Sequence, residues 1–143
     1  LPEVDTSRYF VGDTLLRLQE DFQEVDLRDF ILESPQIIWI VARDLSMANF
    51  SRMERLKDIL AAAQENQIPM ILMTASSQKQ IETFRNESGL NIPIVLNDET
   101  EIKAITRSNP TLMVIRDAVV VGKYAFRSTP SWDWLVKNQI IQL

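Results

Sequence analysis

Ser46 lies in a polar stretch, Asp44-Leu45-Ser46-Met47-Ala48-Asn49, between an apolar run and the helical pattern that follows it. A serine before a helix has the makings of a nucleophile, because the helix N-terminus favours an oxyanion. Activation needs a base, and the sequence contains no His. Ser46 therefore reads as a polar residue at the start of a helix. Ser76-Ser77-Gln78-Lys79 holds an S-x-x-K, the spacing used by penicillin-binding enzymes. Their S-D-N-like and K-T-G-like companions are missing, which leaves Ser76 or Ser77 as a helix cap.

Asp98, Glu99 and Glu101 gather carboxylates, yet a hard cation needs many oxygens from well-spaced positions. Acids in the first turn of a helix are favoured by its dipole, which accounts for this cluster. Met70, Met73 and Met113 fall within apolar strands and are expected to fill the core rather than hold copper. Asn49-Phe50-Ser51 and Asn86-Glu87-Ser88 match the glycosylation tripeptide, a short pattern that recurs by chance. In Trp132-Asp133-Trp134, residues two apart on a helix point to different faces. Trp132 can join Leu135 on the core face, which turns Trp134 outward as a candidate contact for a partner. No cofactor and no metal site is expected.

The 143 residues contain no Cys and no His. Dithiol chemistry, imidazole-activated nucleophiles, zinc fingers and His-ligated haem are excluded for this chain. Apolar residues make up 45% and charged residues 24%, the mix of one globular domain that can bury a core without staples. The net charge of −5 argues against a nucleic-acid partner. That charge is uneven: residues 1–33 hold 9 acidic and 3 basic side chains, while the remainder is close to balance. The longest apolar run, Ile37–Ala42, is far shorter than the ~20 residues of a membrane helix. The chain opens at Leu1 rather than Met, from which an upstream segment, a signal or membrane anchor, is expected.

A single domain is expected over 1–143, with 1–33 an extension of one or two short strands ending in a helical turn at 26–32. Gln36–Ala42, apolar on both faces, predicts a buried central strand. Phe50, Met53, Leu56, Leu60 and Ala63 recur at helical spacing and predict a helix to about Asn66, started by a Ser51/Glu54 capping box or by Asn49. A strand follows at 69–74, and then a helix carrying Ile81 and Phe84 inward, stopped by Gly89. The pattern continues with a strand at 92–96, a helix capped by Asp98 and ended by Asn109-Pro110, and strands 111–116 and 119–125 joined at Asp117-Ala118. A final helix is expected around 131–138. Strands alternating with helices, then a hairpin and a helix, predict a three-layer α/β/α sandwich around a mixed sheet, its first two crossovers parallel.

This order resembles the thioredoxin fold in its peroxiredoxin and TlpA-type version, with a helix and strand inserted after the second core strand. Val11-Gly12-Asp13 is similar to the family's "VGD" opening, and Val25-Asp26-Leu27-Arg28-Asp29-Phe30 to its approach to the first core strand. Asn109-Pro110-Thr111-Leu112-Met113-Val114-Ile115 resembles the segment that carries its cis-proline. Aligning Leu56 with the usual helix leucine puts Ser46 and Asn49 where the family keeps its cysteines. The resemblance thus implies a retained scaffold without redox chemistry, since disulfide exchange requires a thiolate. It also implies a cis bond at Pro110 and a groove at Asn109, Pro110 and Thr111 that takes an extended peptide. Leu1–Gly12 is similar to the stretch after the last membrane span of bacterial DoxX-like proteins. That similarity implies an extramembrane binding or accessory module, tethered on the periplasmic side, with a peptide or a membrane protein as its partner. The alternative is a thiol-disulfide or peroxiredoxin-like enzyme whose thiol comes from a partner or from the rest of the polypeptide.

Overall fold

Ile37 to Ala42 are all fully buried, and they form most of strand β3 (Gln36–Ala42). Ile38, Ile40 and Ala42 enter one hydrophobic core, while Ile37, Trp39 and Val41 enter a second on the opposite face. Burial on both faces is why this run is continuous rather than alternating. The computed structural model describes residues 15–18, 24–26 and 34–143.

Among those residues seven strands form one mixed sheet in the order β2-β1-β5-β4-β3-β6-β7. β4 (Met70–Thr74) runs parallel to β3, and β5 (Ile94–Leu96) parallel to β4. β6 (Thr111–Arg116) is antiparallel to β3, and β7 (Val119–Ala125) to β6. β1 (Leu15–Leu18) pairs antiparallel with β5, and β2 (Glu24–Asp26) with β1. Helices α1 (Met53–Glu65), α2 (Gln78–Ser88) and α4 (Trp132–Lys137) bring Leu56, Ile59, Ile81, Phe84 and Leu135 to the first core. α3 (Glu99–Ile105) brings Ile102 and Ile105 to the second. Helices on both faces of a mixed sheet give the three-layer architecture expected from the sequence.

The caps match the sequence in part. Ser77, not Ser76, starts α2, and its capping box with Gln80 is complete. Gly89 ends that helix in the left-handed region, φ 66°. Asp98 starts α3 by accepting from Thr100 N–H at 2.7 Å. Asn109-Pro110 does not end α3, which stops at Ile105 and passes through Thr106 in extended backbone. The Ser51/Glu54 box does not form: α1 begins at Met53, with Arg52 at the N-cap and no side-chain cap bond. Asn49 is not a cap either, because its Oδ1 accepts from Ser51 N–H at 3.0 Å and closes a local turn. The turn expected over 26–32 lies outside the described residues, apart from Asp26 in β2. So do the residues Val11-Gly12-Asp13 and Leu1–Gly12.

Candidate functional site

The turn between β3 and α1 is anchored from below by hydroxyls. Leu45 N–H donates to Ser76 Oγ at 2.8 Å, and Thr74 Oγ1 donates to the same oxygen at 2.9 Å. Leu45, Thr74 and Ser76 are all buried, so these bonds are shielded from competing water. Above this anchor Asp44 folds onto its own chain. Its Oδ1 accepts from Ser46 N–H at 2.9 Å and from Ser46 Oγ–H at 2.6 Å. The Ser46 hydroxyl, followed by the Ser46 and Met47 N–H groups and Arg43, holds the Asp44 carboxyl below its ordinary value of 3.8 against a partial burial penalty. A carboxylate so stabilised is a poor base, and it does not activate Ser46. Gln80 Nε2 reaches the other side of Ser46 Oγ at 3.3 Å.

Asn49 and Asn109 come together across the top of the sheet. The Asn109–Pro110 peptide bond is cis. Asn49 N–H donates to the Asn109 carbonyl at 3.2 Å, and Asn109 Nδ2 donates to the Asp44 carbonyl at 2.9 Å. Asn109 Oδ1 is buried and accepts no hydrogen bond among the described residues. Pro110 and Thr111 are buried, and Thr111 Oγ1 donates to the Ser108 carbonyl at 3.1 Å. Asn109 is thus tied to the turn that holds Ser46 and Asn49, and Pro110 and Thr111 follow it into β6.

Two expectations need correction. Ser46 is not at the start of a helix, since α1 begins at Met53 and the intervening chain is turn and loop. The Asn109 backbone is also not fully open to a peptide, because its carbonyl already accepts from Asn49. Sequence reasoning passed over three residues of this site: Asp44, Ser76 as an anchor, and Gln80. Two of them leave local signals, an Asp two residues before a Ser in a turn and a Gln three residues after a cap serine.

Beside the turn lies a cavity of about 550 Å³ lined by Leu45, Ser46, Phe50, Met53 and Phe84, with Lys79, Gln80 and Glu87 among its polar wall. Phe50 packs between Phe84 and Phe126, with ring centroids 4.9 and 5.2 Å away. Trp134 is 45% exposed and meets Tyr124 edge-on at 6.3 Å. It lies on a separate surface with Arg52 and Arg55, which donate to the Arg127 and Thr129 carbonyls. Burial pushes the Tyr124 hydroxyl above its usual value.

No protein-family model matches the sequence, and no curated protein matches it. Solved structures do. A protein described as a disulfide isomerase from Bacteroides thetaiotaomicron is 17% identical, with a TM-score of 0.69 over 92% of this chain and 86% of its own. A thio-disulfide isomerase from Thermus thermophilus is 14% identical, TM-score 0.61, over 90% and 91%. A protein described as a thiol:disulfide interchange protein DsbE from Chlorobium tepidum is 11% identical, TM-score 0.66, over 97% and 94%. At these identities the likeness is one of architecture, and the chain has the thioredoxin-like fold that these thiol-disulfide proteins share.

Proposed function

We propose that this domain is a redox-inactive thioredoxin-like module that binds an extended peptide or a membrane-protein segment. The observation that carries the reading is the turn itself. Ser46 and Asn49, which the alignment on Leu56 sets at the cysteine positions of a thiol enzyme, are tied into internal hydrogen bonds, Asn49 to the residue before the cis-proline. A serine hydroxyl donating to a carboxylate is not a nucleophile for disulfides, and no thiol exists elsewhere in the 143 residues. Binding chemistry remains. The cavity offers Leu45, Phe50, Met53 and Phe84 to an apolar side chain. Asn109 Oδ1 is a buried acceptor with no donor among the described residues, an unfavourable state that a partner's N–H would relieve. Tethering to the periplasmic face of a membrane belongs to the same reading and rests on the similarity of Leu1–Gly12 to DoxX-like proteins. Among the described residues no helix is long and apolar enough to cross a membrane.

Two measurements test it. Insulin reduction and peroxide consumption by the purified chain are expected to stay at buffer level, and activity surviving removal of contaminants overturns the redox-inactive part. Titration with extended peptides carrying a Leu or Phe should move the amide signals of 44–50, 79–84 and 108–111 saturably. If those signals stay fixed, the binding part fails.

A further inference from the structure

A second cavity, of about 560 Å³, lies between the C-terminal end of α3 and strands β6 and β7. Its wall carries three cations, Lys103, Arg107 and Lys123, three hydroxyls, Thr106, Ser108 and Thr111, and no carboxylate. In a chain of net charge −5 such a wall departs from the average surface. Part of this wall is fixed in place. Lys123 Nζ donates to the Ile105 carbonyl at 2.6 Å, which neutralises the negative end of α3 that would otherwise repel an anion. The Thr106 and Thr111 hydroxyls both donate to the Ser108 carbonyl, at 3.2 and 3.1 Å, and hold the loop between α3 and β6.

The donors facing no acceptor are what mark the site. Arg107 makes no ion pair among the described residues, and the N–H groups of Arg107 and Ser108 donate to no acceptor among them. Among the described residues Lys103 pairs with Glu99 alone, at 3.4 Å in an exposed i,i+4 pair that a stronger anion can displace. We propose that this cavity binds a small, multiply charged oxyanion of the phosphate class, either free phosphate or a phosphate monoester. Three cations exceed what a single carboxylate neutralises, and a guanidinium with neighbouring backbone N–H groups suits tetrahedral oxygens. No aromatic side chain lines the cavity, so it offers no stacking surface for a nucleobase.

The test is titration of the folded chain with inorganic phosphate at neutral pH and constant ionic strength, followed by amide shifts, with acetate in parallel. Saturable shifts confined to 103–111 and 123–125 are expected with phosphate and not with acetate. Glycerol phosphate tells the two sources apart: tighter binding than inorganic phosphate points to an ester, equal binding to the free ion. Arg107→Gln removes an exposed, unpaired charge, so it should leave Tm unchanged and weaken phosphate binding about tenfold. Lys103→Gln provides an independent second variant, expected to weaken binding less. An unsaturable response, an equal response to acetate, or undiminished phosphate binding by both variants overturns the proposal.

Discussion

Asp44 and Ser46 illustrate how one short hydrogen bond decides the character of a position. The hydroxyl donates to the carboxylate at 2.6 Å, and this bond is the largest influence holding the Asp44 carboxyl below 3.8. Because that carboxyl titrates lower in the folded chain than in the unfolded one, its contribution to stability is fully present above the ordinary value. It is lost as the pH falls through the lower, folded value. The turn should therefore be intact at neutral pH and loosen only in acid. Ser46→Ala removes the main cause, so the Asp44 midpoint in a carboxyl carbon NMR titration should rise toward 3.8. A midpoint that stays where it was would mean that the backbone N–H groups, not the hydroxyl, set it. The Asp-x-Ser spacing announces this turn in the sequence. The neighbouring Asn109 leaves no such sign, because its partners Asp44 and Asn49 are some sixty residues away in the chain.

Among the elements, those whose signal is local were legible. β3 follows from an unbroken apolar run, α2 from a serine cap and a terminal glycine, and the β6–β7 hairpin from two apolar strands around Asp117-Ala118. α1 was misplaced at its start, since Ser51 and Glu54 imitate a capping box. Packing overrides that local signal: Phe50, wedged between Phe84 and Phe126, is held in the loop ahead of the helix. The hairpin also carries a cost that the sequence displays. Asp117 and Ala118 have φ of 51° and 65°, a left-handed conformation that suits Asn and Gly far better than Ala. Replacing the pair by Asn-Gly should stabilise the chain by about 1 kcal/mol, a rise in Tm of roughly 3–4 °C in a thermal melt. An unchanged or lower Tm would show that the left-handed Asp117-Ala118 pair carries no strain that Asn-Gly relieves.

At the scale of the whole molecule, the fold was legible because element order and the two-faced burial of β3 leave few arrangements, whereas the site depends on contacts between distant segments. That difference bears on whether thiols supplied at positions 46 and 49 would carry redox chemistry. A thioredoxin-type thiolate needs a helix N-terminus, neighbouring positive charge and little competing negative charge. Here α1 begins at Met53, well beyond Ser46, and the Asp44 carboxylate sits where the Ser46 hydroxyl now points. In the S46C/N49C double variant, a thiol at position 46 would face that carboxylate, which disfavours a second negative charge. Its pKa, read from thiolate absorbance, should lie at or above the ordinary value of about 8.5, and insulin reduction should stay near buffer level. Adding Asp44→Asn removes the opposing charge and should lower the thiol pKa by about one unit. A double variant that titrates near neutrality with Asp44 intact would show that this scaffold can activate a thiol at position 46 despite the carboxylate.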